Sequence, residues 1–220
     1  FLDSNHIMAT AKHFIGDGGT FKGIDKGDTR ISEGGLKNIH GTPYYSAFEA
    51  CVQSVMASFN SWNGVKMHGH EYLLTDVLRD QMGFNGLVVG DWNGHGEVPG
   101  CTNANCPESF NAGVDIYMAP DEWKELYTNT VRAVKSGDIS EDRLDDAVRK
   151  ILTVKDRLGM LDGRKPHEYE NYVGKIEHRE LAREAVSKSL VLLKNNDNLL
   201  PLDSTKPVSY THLTLPTTPY

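Results

Sequence analysis

Cysteine is scarce, with three in 220 residues, too few for a small domain held by disulfides. Cys101 and Cys106 are separated by four residues in a loop rich in Pro, Gly and Asn. A short bridge or two free thiols fit there better than a metal, because no second Cys or His pair stands at a zinc spacing. No stretch approaches the ~18 uninterrupted apolar residues of a membrane-crossing helix. Nor does the chain open on a Met, a basic segment and an apolar core; it begins Phe1-Leu2-Asp3-Ser4, so a leader peptide is not visible. Positive charge is not in excess: 23 Lys+Arg stand against 30 Asp+Glu, a net charge of −7. No basic run offers to neutralise a row of phosphates. Neither nucleic acid nor a membrane is therefore an expected partner. Nine Pro against 21 Gly, 39% hydrophobic and 24% charged residues exclude fibrous and disordered classes. The length falls short of the about 250 residues of a whole eightfold α/β barrel.

The apolar residues come in short runs that end on glycine-bearing loops and alternate with helical patterns, as in parallel strands joined by crossover helices. Ile7 to Phe14 reads as a strand stopping at Gly16-Asp17-Gly18-Gly19, and Val55 to Phe59 as one stopping at Asn60-Ser61-Trp62-Asn63-Gly64. Gly86 to Gly90 stops at Asp91-Trp92-Asn93-Gly94, and Val114 to Met118 is a fourth strand. Leu73, Leu74, Val77, Leu78 and Met82 share a helical face closed by Gly83. Trp123, Leu126, Tyr127, Thr130, Val131 and Val134 form the face of a helix closing at Gly137. Ser140 caps a further helix, with Glu141 and Asp142 in its first turn. Its predicted apolar face is Leu144, Val148, Ile151, Leu152, the stem of Lys155 and Leu158, ending at Gly159. This order implies right-handed crossovers, in either an open doubly wound sheet or a closed barrel. After Leu161 the chain turns polar, then a new amphipathic helix is predicted from His178 to Leu193 through Leu181, Ala185, Val186 and Leu190. Lys206 to Tyr220, rich in Pro and Thr without a period, is expected to be unpacked.

Three polar clusters, Lys12-His13, Asn60-Ser61-Trp62-Asn63 and Asp91-Trp92, fall where a predicted strand gives way to a loop. Ligand sites of parallel α/β folds form at the carboxyl ends of strands, so the three should converge on one mouth. Asp91, after Gly-Leu-Val-Val-Gly, fits a nucleophile with a tryptophan beside it to stack on a ring; it equally fits a cap on the following turn. Lys12-His13 fit donors aimed at hydroxyls or an anion, against a plain surface pair. Gly16-Asp17-Gly18-Gly19-Thr20-Phe21 follows a dinucleotide fingerprint only until Phe21 replaces the last glycine. His68-Gly69-His70 stands alone at a helix start, where solvent-facing or capping histidines are commoner than metal ligands.

Read together, three segments resemble the family 3 glycoside hydrolases, the β-glucosidases and exo-β-glucanases: Ala11-Lys12-His13-Phe14-Ile15-Gly16-Asp17-Gly18, Val55-Met56-Ala57-Ser58-Phe59-Asn60-Ser61-Trp62-Asn63-Gly64 and Gly83-Phe84-Asn85-Gly86-Leu87-Val88-Val89-Gly90-Asp91-Trp92. The likeness continues through Ala112 to Met118 and Arg183 to Asn195, and the loop from Gly90 through Cys101 to Cys106 is similar to the bacterial exo-1,3/1,4-β-glucanase branch. The resemblance implies an α/β fold: the C-terminal half of a (β/α)8 TIM-type barrel in residues 1–161 and the start of a second α/β sandwich domain in 178–205, with an interdomain linker in 162–177 between them; composition adds an unstructured tail in 206–220.

It also implies the chemistry. Asp91 matches the nucleophile that forms a glycosyl-enzyme, and such retaining enzymes need a second carboxyl group about 5–5.5 Å away. In the family that Glu belongs to the second domain, at a position beyond this chain. Lys12 and His13 match residues that hydrogen-bond the first sugar, Trp92 one wall of an aromatic clamp, and Met56 and Phe59 the pocket lining, where relatives often carry Tyr instead of Phe59. The N-acetylglucosaminidase branch places an Asp-x-His pair in the loop corresponding to Thr20–Ile31, which contains no histidine here. The implied partner is a β-glucan or β-glucoside oligosaccharide, with no cofactor and no metal, in a periplasmic or secreted parent of which this chain is a fragment. A catalytically inert carbohydrate-binding fragment is the competing expectation, and a nucleotide-binding open sheet a third.

Overall fold

Alternating apolar runs of two periods should sort into strands and helices, and they do. The computed structural model describes residues 7–163, 173–203 and 205; the chain divides into two compact units, 1–166 and 167–220. In the first unit β1 (Thr10–Phe14) is followed by β2 (Asp28–Thr29), α1 (Glu33–Gly35), a π-type turn (Leu36–Gly41) and α2 (Thr42–Glu49). Then come β3 (Ser54–Ala57), β4 (Ser61–Trp62), β5 (Val65–Lys66), a helix over Tyr72–Gln81 and β6 (Leu87–Trp92). The unit ends with α3 (Pro107–Asn111), β7 (Ile116–Met118), α4 (Trp123–Ser136) and α5 (Glu141–Arg157). Strands β1, β3, β6 and β7 form one four-stranded sheet in that order, every neighbouring pair parallel. The spatial order follows the chain order without reversal, which is the wall of a barrel and not the reversed order of a doubly wound sheet.

Side-chain alternation gives the sheet two faces. Phe14, Val55, Ala57 and Val88 are buried with Leu36, Tyr44, Leu73, Leu74 and Leu78 of the covering helices. Phe14 meets Tyr44 edge-on, ring centres 4.9 Å apart. Met56 and Val89, in register across β3 and β6, are half-buried, and Val89 packs with Ile116 against Leu87, Val154 and Leu158. β2, β4 and β5 form a second, three-stranded sheet in the loops that follow β1 and β3. Two-residue strands carry no readable period, and the sequence does not announce them.

The helix caps are as predicted: Ser140 Oγ accepts the Arg143 N–H at 3.2 Å, and Gly137, at φ 87°, ends α4 in the left-handed region. The faces are so only in part. On α5 the buried residues are Ala147 and Val154, with Leu158 buried just past its end, while Val148 and Leu152 are exposed. On α4 Leu126 and Ala133 are buried, while Trp123, Tyr127 and Val131 face outward. Apolar residues surround enough of each helix that periodicity alone cannot choose the face in contact.

A buried ion cluster joins these layers. The Asp115 carboxylate takes Arg79 Nη2 at 2.6 Å and Arg143 Nη2 at 3.0 Å, and its Oδ2 accepts the Val88 N–H of β6 at 2.8 Å. Full pairing is the condition for keeping such a charge buried. In the second unit α6 spans Ile176–Ser189, two residues earlier at its start and four shorter at its end than predicted. Leu190 is already extended, with ψ 130°, and the apolar run Val191-Leu192-Leu193 carries no helical stripe. Leu181, Val186 and Leu190 are exposed. The expected tail 206–220 and the centre of the expected linker, 164–172, lie outside the described residues. Among the described residues no helix is long and apolar enough to cross a membrane.

Candidate active site

The third predicted strand runs two residues further than its apolar core, so Asp91 and Trp92 lie within β6 and close its carboxyl end. The rigid strand, and not a loop, sets the direction of the Asp91 side chain. Its Oδ1 accepts the Trp92 N–H at 2.7 Å, so the turn-capping use foreseen for an aspartate is present. Oδ2 is left facing His13 Nε2 at 3.6 Å across the sheet. His13 Nδ1 lies 3.3 Å from Asp17 Oδ2, placing the imidazole between two carboxylates.

The other anticipated residues divide. Lys12 is exposed and lines, with His13, Asp17, His40 and Tyr44, a cleft of about 460 Å³ beside β1. Trp92 is 59% exposed, an open aromatic face adjoining the carboxylate. Phe59 is half-buried, with Lys26 Nζ 4.3 Å above its ring centre. Met56 sits on β3 opposite Val89. The cluster Asn60-Ser61-Trp62-Asn63, expected at the same mouth, is scaffolding. Asn60 is fully buried, and its Nδ2 donates to the Ile15 carbonyl at 3.2 Å and to Thr29 Oγ1 at 3.0 Å. Gly16, at φ 92°, leaves room for it, since a Cβ there would stand 3.2 Å from Asn60 Nδ2. Trp62 Nε1 donates to the Ile31 carbonyl at 2.8 Å.

His68 is a residue that sequence reasoning misplaced. It is neither solvent-facing nor a cap: 2% exposed, it accepts the Asp91 N–H at Nε2, 2.8 Å away. Burial pushes its pKa down to about 4, against the pull of Asp91 and a hydrogen bond to the Ser58 backbone. His70 does cap, taking the Leu73 N–H on Nδ1 at 3.4 Å. Nothing in a His-x-His spacing separates the two fates.

At the rim Lys26 and Lys66 hold Glu97, at 3.4 and 3.5 Å. Burial lifts the Glu97 pKa, but the two ammonium groups outweigh it and keep the group below its ordinary value; it is a carboxylate, not a proton donor poised for a leaving group. Cys101 and Cys106 are bonded to each other. The sulfurs lie within 4.8 Å of Glu108, but their mutual bond removes the thiolates a soft cation requires. His95, buried in the same loop, faces the Asn103 carbonyl at 2.8 Å and the Tyr117 ring at 4.8 Å.

The chain is 53% identical to the exo-1,3/1,4-beta-glucanase of a Pseudoalteromonas species, whose crystal structure superposes with a TM-score of 0.77 over 89% of this chain and 25% of that one. It is 38% identical to a beta-xylosidase of Formosa agariphila over 93% of this chain and 30% of that protein. With a periplasmic beta-glucosidase of Salmonella typhimurium it shares 34% identity over 91% of this chain and 27% of that protein. The chain thus spans between a quarter and a third of the length of these relatives. Residues 2–154 match the glycosyl hydrolase family 3 N-terminal domain, and the chain belongs to that family, its four parallel strands forming part of the family's TIM-barrel-type domain.

Proposed function

We propose that this chain is the nucleophile-bearing part of a longer retaining hydrolase that releases glucose from the non-reducing end of β-glucans or β-glucosides. The observation that carries the reading is Asp91 at the carboxyl end of β6, with one oxygen held by the Trp92 N–H and the other turned towards His13. Oδ2 attacks the anomeric carbon and the glycosidic C–O bond breaks. The leaving oxygen takes its proton from a carboxylic acid outside the described residues. Water then cleaves the glycosyl-enzyme ester, returning that proton and freeing Asp91. Lys12 and His13 donate to sugar hydroxyls, Trp92 stacks on the next ring, and Met56 and Phe59 line the pocket. Phe59 contributes no hydroxyl to its sugar contact.

The names of the relatives support a β-glycoside substrate, with glucose and xylose as the competing sugars. Asp91→Asn in the longer protein is expected to lower turnover of an aryl β-glucoside at least a thousandfold while the thermal midpoint stays within a few degrees. Undiminished turnover excludes the assignment, and preference for the aryl β-xyloside over the glucoside replaces the substrate. The bridged Cys101–Cys106 loop supports a periplasmic or secreted setting, where disulfides persist. The isolated chain is the case for an inert sugar binder, and calorimetry with laminaribiose reads it: heat without turnover is the expected result.

A further inference from the structure

We propose that His68 is a positioning residue for the nucleophile, acting through the backbone of Asp91 and never touching the sugar. The inference rests on the reading of Asp91 as nucleophile. A peptide N–H can only donate, so Nε2 of His68, 2.8 Å from the Asp91 nitrogen, must be the unprotonated acceptor. Nδ1 then carries the proton and serves the hydrogen bond to the Ser58 backbone. Both ring nitrogens are committed, one to the strand that carries the nucleophile and one to the end of β3. The imidazole is thereby a neutral strut of one tautomer between adjacent strands, with no free nitrogen for acid or base chemistry.

The surroundings are cut to this ring. A Cβ on Gly94 would fall 2.3 Å from His68 Nε2 and Cε1, and one on Gly90 would lie 3.4 Å from Cδ2. The Phe59 ring closes another side, centre to centre 5.9 Å. At position 94 the ring occupies the space a side chain would take, whereas at position 90 a Cβ would meet it in ordinary contact. With its N–H fixed by His68 and its Oδ1 fixed by the Trp92 N–H, Asp91 has one oxygen, Oδ2, left to react and little freedom in where it points. Misplacing a reacting atom by about 1 Å costs on the order of a hundredfold in rate.

The test compares His68→Leu, His68→Gln, Gly94→Ala and Asp91→Asn in the longer protein, with kcat and KM for an aryl β-glucoside counted per site that traps a 2-fluoroglucoside covalently, except for Asp91→Asn, which has no carboxylate to trap it and is counted per folded protein. His68→Leu is expected to lower kcat ~10- to 100-fold with KM within about twofold. His68→Gln, whose amide can accept from Asp91 and donate to Ser58, should recover most of that loss. Gly94→Ala, which drives the ring away, should behave as His68→Leu does, and it keeps the question open to decision if His68→Leu does not fold. A kcat per trapped site within twofold of the parent in the Leu or Ala variant overturns the proposal, as does a Gln variant no better than Leu. If Asp91→Asn retains turnover, the reading of Asp91 as nucleophile fails; if Asp91→Asn is inactive while the His68 variants are not, the positioning role alone fails.

Discussion

At the scale of single residues, His68 ties stability to pH. Its folded-state pKa of about 4 lies below the 6.5 of an unfolded histidine, so the unfolded chain binds the proton more readily. The stabilisation is complete above pH 6.5 and is lost as pH falls from 6.5 towards 4, by about 3 kcal/mol at the limit. Asp91 opposes this shift, and His95 and Lys66 reinforce it. Burial lowers the His70 and His95 pKa values as well, so all three act in the same direction. Urea midpoints should decline from pH 7 to pH 5, and His68→Gln should flatten the decline; a midpoint that rises towards pH 5 contradicts the assignment. The contrast between Asp91 and His68 shows what a sequence discloses. Asp91 is legible because an apolar run bounded by glycines points to a strand end. His68 is not, because a buried acceptor and a surface histidine are the same letter, and the strand it serves lies 23 residues further along the chain.

At the scale of elements, the alternation of strand and helix was readable, and the contact faces of α4 and α5 only in part. Both Val148 and Val154 fall on apolar stripes of α5, yet Val154 is 2% exposed and Val148 43%. Val154→Ala should therefore cost about 1–2 kcal/mol, being a large-to-small change in a packed site, whereas Val148→Ala should stay within about 0.5 kcal/mol. Equal costs in chemical denaturation would mean that α5 is rotated. Asp115 makes the same point more sharply. It joins β6, α5 and the Tyr72–Gln81 helix through Val88, Arg143 and Arg79, and Asp115→Ala takes the shared carboxylate from two part-buried guanidinium groups at a cost of up to about 3 kcal/mol. Sequence pattern registers Asp115 only as a polar interruption in an apolar strand, since its three partners are spread over more than sixty positions.

At the scale of the molecule, the sheet has four strands with β1 and β7 at its flanks. Trp123, Tyr127 and Val131 in the first unit, and Leu190 through Leu193 in the second, are exposed. Uncovered apolar stripes and strand flanks invite association. The 220-residue chain by itself should bind a hydrophobic dye and elute from size exclusion ahead of a monomer; a dye-silent monomer would mean that these faces are covered. What was legible at this scale was a parallel α/β sheet, from strand-end clusters in order, while the choice of a barrel over an open sheet came with the family resemblance of those motifs. The second unit was less so, because its helix ends where an apolar run turns extended without a breaker residue. β6 is the element in which the scales meet. Its Val88 N–H is taken by a carboxylate and its Asp91 N–H by an imidazole, side-chain acceptors that do not depend on the neighbouring strand's backbone staying in place. In isotopic terms, these two amides should keep their protons longest in deuterated solvent, and the pH at which the Asp91 proton begins to exchange faster than that of Val88 marks where the imidazole lets go of the strand.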